Sequence, residues 1–286
     1  VLYDHQWNSF WIGIETKKDT PAGTWPVTIR IRLILLPIDD PDFREITVAV
    51  TVPVTVIGAV LPKQTLRHTE WFHADCVAEH YHVQPFSEEH WKLVEEQVLL
   101  ADRRGINMLL TPLFTPPLDT QVGGERLTVQ LIDVTVAGEE YFFGFEKLRR
   151  WVNMAHKCGM KYFEMSHFFT QWGAKHAPKI MATVNGVYKR IFGWETDAVS
   201  EEYARFLRTF LPQLMRELKS LGIKENTVFH ISDEPKEAMM TDYTSARALV
   251  APYVEDCTIM DALSDYAFYE TGAVTCPIPA INRIEP

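Results

Sequence analysis

Thr227-Val228-Phe229-His230-Ile231-Ser232-Asp233-Glu234-Pro235 is a short apolar β-type run that ends on two adjacent carboxylates and a proline. A buried strand that delivers acids at its C-terminal tip is how an α/β barrel presents reactive groups, because the loops at that end form the mouth of the site. Pro235 biases Glu234 away from a helical backbone, so the acids are expected on a stiff, extended strand end. Side chains alternate along a strand. Glu234 would therefore share a side with His230 and Ser232 while Asp233 leans away, and the two acids could address different atoms of one ligand.

Working upstream, a helix precedes this strand. Tyr203, Phe206, Leu207, Phe210, Leu211, Leu214, Leu218 and Leu221 recur at helical spacing, with a kink expected at Pro212 and a stop at Gly222. The same strand-then-helix grammar runs back to residue 69. Thr69 to Asp75 reads as a first strand, and Ser87-Glu88-Glu89 opens a helix whose stripe is Trp91, Val94, Val98 and Ala101, ending at Gly105. Ile106–Leu110 is the second strand. Met160–Met165, after a helix bearing Leu148, Trp151, Val152 and Ala155, is the third. Downstream, Cys257–Met260 and Val274–Cys276 carry fainter strand signals. Such alternation implies a parallel sheet with right-handed crossovers, and no Gly-rich nucleotide loop follows the first strand. The expected fold is a (β/α)8 TIM-type barrel over residues 66–286. About six strands are legible where closure takes eight, so the barrel is expected to be C-terminally incomplete.

Residues 1–62 read differently. Ser9–Ile14, Val27–Leu33 and Ile46–Val52 look like strands, with a turn at Pro21-Ala22-Gly23, as in part of a β-sandwich domain. Leu61–Gln64 would be the linker. A long segment, Thr111 to Gly144, separates the second strand from its helix and includes the alternating Leu127–Leu131. Insertions of that length at a barrel mouth are often binding elements.

Composition narrows the function classes. Hydrophobic residues make up 47% and charged residues 23%, and no apolar stretch approaches the ~20 residues of a membrane span. The net charge of −10 argues against a nucleic-acid surface, which needs clustered Lys and Arg. Cys76, Cys158, Cys257 and Cys276 lack metal or redox spacing and are expected as reduced core thiols. Localisation stays open, with a weak lean to the cytoplasm because no signal peptide is visible.

Beyond the acid pair, several residues could carry chemistry. His73 and Asp75 at the first strand's tip, His167 at the third's and His230 in the fourth could hold a divalent metal that activates water, or could bind a ligand by hydrogen bonds. Paired His-x-His ligands are absent. Gln171, Trp172 and Lys175 follow the third strand, and Trp194 comes later in the same excursion. Trp172 and Trp194, flanked by glycines, are candidate platforms for sugar rings, whereas Phe168 and Phe169 could equally form a folded-back loop core. Asp119 and Arg126 would pair with each other or contact substrate hydroxyls.

His230-Ile231-Ser232-Asp233-Glu234-Pro235, Phe169-Thr170-Gln171-Trp172-Gly173-Ala174 and Phe114-Thr115-Pro116-Pro117-Leu118-Asp119-Thr120 together resemble the catalytic domain of glycoside hydrolase family 123. The resemblance covers roughly residues 66 to 286. It implies a (β/α)8 enzyme that acts on an amino-sugar glycoside as a retaining β-N-acetylgalactosaminidase, using the substrate's own acetamido group and no cofactor or metal. Carried over, Glu234 is the general acid/base and Asp233 orients and polarises the acetamido nitrogen, with Glu234 expected to be partly desolvated. Two other classes stay open: a carbohydrate-binding protein without turnover, and a metal-dependent hydrolase built on His73, Asp75, His167 and His230.

Overall fold

The computed structural model describes the backbone of residues 7, 9–34, 40–62 and 64–283. The chain divides into two compact units, Val1–Thr65 and Leu66–Pro286. In the first, β1 (Gly23–Ile34) pairs antiparallel with β2 (Glu45–Val56), from Gly23 opposite Val56 to Ile34 opposite Glu45. β-branched residues fill both strands, and the cross-strand threonine pairs Thr24/Thr55 and Thr28/Thr51 hydrogen-bond at 3.0 and 2.9 Å. Among the described residues this unit shows one two-stranded sheet, the hairpin of β1 and β2, out of the partial sandwich expected. Residues 9–14, expected as a strand, have no strand pairing among the described residues and lie exposed.

The second unit holds the core. It begins with Thr69, bridged in parallel to Met108, and then turns at once into α1 (Ala74–Tyr81). The expected first strand is thus cut to one bridge residue, because Ala74, Val77 and Ala78 bury a helical stripe instead of continuing an extended one. Next comes α2 (Glu88–Arg103), where the Ser87 hydroxyl accepts from His90 N at the N-cap and Trp91, Val94 and Val98 are buried. Gly105, at φ +87°, turns the chain into β3 (Met108–Thr111).

The long insertion then forms β4 (Asp133–Ala137) and β5 (Glu140–Gly144), an antiparallel hairpin that leads into α3 (Glu146–Lys157) and β6 (Tyr162–Met165). A second excursion gives the hairpin of β7 (Ile180–Val184) and β8 (Val187–Phe192). α4 (Glu201–Ser220) runs through Pro212 as one element, followed by β9 (Thr227–Phe229), α5 (Met240–Val254), β10 (Thr258–Leu263), the short α6 (Ala267–Glu270) and β11 (Cys276–Pro279).

The main sheet has the order β11-β10-β9-β6-β3, parallel throughout, so its own strands are added side by side in the order in which they occur along the chain. Among the described residues it stays open, bounded by β11 and the Thr69 bridge, so closure into an eight-stranded barrel is not seen. A second sheet, β5-β4-β7-β8, is built from the two excursions and is sewn together where β4 meets β7 in parallel. Leu127–Leu131, expected to alternate as a strand, is irregular. Its Gln130 amide instead mimics a strand neighbour, donating to Met181 O at 2.8 Å and accepting from Met181 N at 2.9 Å. Of the four free cysteines, Cys158 alone is fully buried, and Cys76 and Cys276 are exposed, against their expected core placement.

Candidate active site

At the C-terminal ends of the main-sheet strands, three ionisable side chains form a buried row. His230, just beyond β9, places Nε2 2.7 Å from Glu164 Oε1 of β6 and Nδ1 3.3 Å from Asp261 Oδ1 of β10. Glu164 is also held by Thr69 Oγ1 at 2.5 Å and Trp71 Nε1 at 2.9 Å. Asp261 accepts from Ile231 N at 3.1 Å and from the Tyr243 hydroxyl. Burial alone would strip the imidazole of its proton, but hydrogen bonds to Asp261 and Glu164 and their charges hold its pKa up to about 10. His230 is thus drawn toward the imidazolium form, while burial draws its partner Asp261 upward, toward holding a proton. His167 stacks on it at 4.4 Å, and burial followed by that neighbouring positive charge pushes the His167 pKa well below the usual histidine range. Among the described residues, neither His167 nitrogen has a hydrogen-bond partner.

The acid pair follows two residues further on. Asp233 is half-buried, and burial first, then the Glu234 carboxylate, raise its pKa to about 6 against the opposing pull of His230. Glu234 is exposed, with Ser264 Oγ donating to Oε1 at 3.3 Å. The burial expected for Glu234 falls on Asp233 instead. The backbone also departs from expectation: regular strand pairing stops at Phe229, and Glu234 sits at φ +41°, left-handed despite the proline after it. A second strained turn, Trp172 (+60°), Gly173 (+115°) and Ala174 (+58°), grips this loop, with Trp172 N donating to Asp233 O at 2.9 Å and Gly173 N to Ser232 Oγ at 3.3 Å. Non-glycine residues in that region cost on the order of 1–3 kcal/mol each and persist only where surrounding structure holds them.

Glycoside hydrolase 123, catalytic domain, is the family whose model matches residues 71–286. The chain belongs to this family. Among solved structures, one similar fold is that of a family 123 glycoside hydrolase from Clostridium perfringens, described in a structural analysis of glycolipid glycan hydrolysis. The TM-score is 0.66 at 14% identity, over 93% of this chain and 46% of that one, so the family 123 chain spans about half the length of that relative. No curated protein matches it.

Of the other expected residues of the family 123 chain, Asp119 stands close enough to Asp233 for its charge to raise that carboxyl's pKa. His73, at the N-terminus of α1, puts Nε2 2.8 Å from Asp119 Oδ2, and Asp119 is left-handed at φ +53° with its N–H donating to Gln171 Oε1 at 3.2 Å. Gln171 Nε2 donates to Thr120 O at 2.6 Å, so this amide braces the insertion. Asp119 and Arg126 do not pair. Arg126 instead grips the buried Asp75 with two bonds of 2.7 and 3.2 Å, a geometry available because Asp75 lies on α1 and not at a strand tip. Lys175 pairs with Asp242 at 3.4 Å. Trp172 keeps 40% of its surface exposed, whereas the Trp194 indole donates to Gly124 O at 2.8 Å and lines a small, open cleft with Thr115, Thr120, Thr170 and Lys179. Phe168 and Phe169 are loop core.

The four residues considered as metal ligands are not brought together: His73 is engaged by Asp119, and Asp75 by Arg126. Among the described residues, ligand atoms of His167, His230 and Asp261 do converge within 4.8 Å, but His230 spends both nitrogens on carboxylates and is drawn toward the protonated form. Glu164, Asp261, Tyr243 and Trp71 escaped the sequence reading. Glu164 stood inside the third predicted strand, where its charge amid apolar neighbours was the available signal; Asp261 lay just past a faint strand.

Proposed function

We propose that the chain is a glycosidase that releases a terminal β-linked N-acetylhexosamine, N-acetylgalactosamine first among them, by a retaining route in which the substrate's acetamido group is the nucleophile. What carries this reading is a pair of neighbouring acids held in different environments just beyond a strand of the parallel sheet, Asp233 half-buried and Glu234 open to solvent. Paired carboxyls with separated environments are suited to separate roles. The acetamide carbonyl oxygen bonds to the anomeric carbon while the glycosidic bond breaks, and Glu234 gives its proton to the departing oxygen. Asp233, as a carboxylate, accepts the acetamido N–H and balances the positive charge of the oxazoline-like intermediate. Water then adds to the anomeric carbon, returning its proton to Glu234 as the acetamide leaves. No second carboxylate across the sugar is required, so the usual ~5 Å nucleophile spacing does not apply.

The serial order of the parallel strands supports reading the main sheet as an arc of a (β/α)8 wall, with residues 66–286 as the catalytic part and exposed Trp172 as a surface for the sugar's C–H face. The test is hydrolysis of an aryl β-N-acetylgalactosaminide. Glu234→Gln and Asp233→Asn should each lower kcat/KM about 100-fold or more. A thiazoline mimic of the intermediate should inhibit the parental protein. Turnover near the parental rate in either variant removes that residue from the mechanism, and indifference to the thiazoline removes the neighbouring-group route.

A further inference from the structure

The buried row beneath the acids is not used by any step above, and its construction is unusual. Two carboxyl groups and one imidazole are sealed from solvent, each within 1% exposure, although a charge so placed is costly unless it is paired. Every partner comes from a different segment: Glu164 from β6, His230 from the end of β9, Asp261 from β10, Tyr243 from α5, and Thr69 with Trp71 from the stretch before α1. Asp261 takes both the His230 ring and the Ile231 N–H, so it fixes the main chain two residues before Asp233.

We propose that His230, clamped between Glu164 and Asp261, is a positioning residue for the acid pair: a fixed internal cation that holds the Asp233 loop in place and favours the Asp233 carboxylate. It does not contact substrate, because both ring nitrogens are consumed and its side chain is only 1% exposed. This differs from the ligand-binding and metal-binding roles its sequence position suggested, and it deepens the glycosidase reading on which its catalytic consequence rests. The charges that face Asp233 are its neighbour Glu234, His230 beyond β9, Asp261 of β10 and Asp119 of the insertion. Three of the four are acidic, which leaves His230 as the one that favours ionisation. His230 in turn is faced by Glu164, Asp261 and neutral His167.

The charge relation has a sign that a purely structural role would not reproduce. His230→Gln keeps a hydrogen-bonding side chain but deletes the cation, and should raise the Asp233 titration midpoint by about one pH unit. Asp261→Asn removes an acidic neighbour and should lower it. The experiment is a carbon-13 NMR titration of aspartate side-chain carboxyls, with Asp233→Asn to assign the signal, alongside nitrogen-15 spectra of the histidine rings and the pH dependence of kcat/KM. In the parental protein the His230 ring should remain doubly protonated through pH 8, a reading that requires no variant to fold. A neutral His230 ring at pH 7, or an Asp233 midpoint unmoved in folded variants, overturns the proposal. The NMR arm is independent of turnover: opposite shifts without any hydrolysis would uphold the clamp and reject the glycosidase, and hydrolysis with unmoved midpoints would do the reverse.

Discussion

Asp233 carries the clearest conflict between folding and chemistry. Its carboxyl is held at a pKa of about 6, so the folded protein binds its proton more tightly than the unfolded chain does. The sign follows directly. Above pH 6 the ionised, half-buried carboxylate destabilises the fold; below about pH 4 both states are protonated and the cost vanishes. Asp233→Asn should therefore be more stable than the parental protein by about 2 kcal/mol at pH 8, with the advantage fading between pH 6 and pH 4, while hydrolysis is lost. Urea unfolding across that range checks it, and a variant less stable at pH 8 would show that Asp233 contributes more through its contacts than its charge takes away. A carboxyl kept at a cost to stability fits the role proposed for Asp233.

At the level of elements, the acid pair is set by two loops and not by its strand. The turn at Trp172–Ala174 closes on the Asp233 loop through two backbone N–H donors, and Gly173 makes this possible at φ +115°. A Cβ there would also stand 2.7 Å from Met239 Sδ and 2.9 Å from Met239 Cβ. Gly173→Ala should lower kcat/KM by tenfold or more and cost about 1–3 kcal/mol, with far-UV circular dichroism unchanged. Parental kinetics in that variant would mean the turn has slack. These loops also mark where the sequence stopped being legible. The apolar stripes of α2, α3 and α4 and the strands β3, β6 and β9 could be read from periodicity because burial imposes it locally. Pro235 pointed to an extended Glu234, but contacts from a distant loop and from Ser264 accompany a left-handed one, and no local rule contains them. Likewise Arg126 found Asp75 across 51 positions, a choice invisible to spacing.

For the molecule as a whole, the distribution of burial makes a sharper statement than the strand count. Every fully buried side chain among the described residues belongs to the Leu66–Pro286 unit, from Ala74 onward, whereas β1 and β2 present half-buried or exposed residues on both faces. An isolated two-stranded hairpin is marginal in water, since it has no third layer to bury its apolar face. The cooperative unit of folding should then be the second one, with its single large core joining α2, α3, α4 and α5 to the main sheet. Residues 66–286 produced alone should melt within about 3 °C of the full chain, because 1 kcal/mol moves the midpoint of a chain this size by about 2–4 °C. Calorimetry of both proteins decides the matter. A drop of 10 °C or more would mean that residues 1–65 contribute several kcal/mol to the stability of the folded protein, and that the second unit is not the cooperative unit by itself.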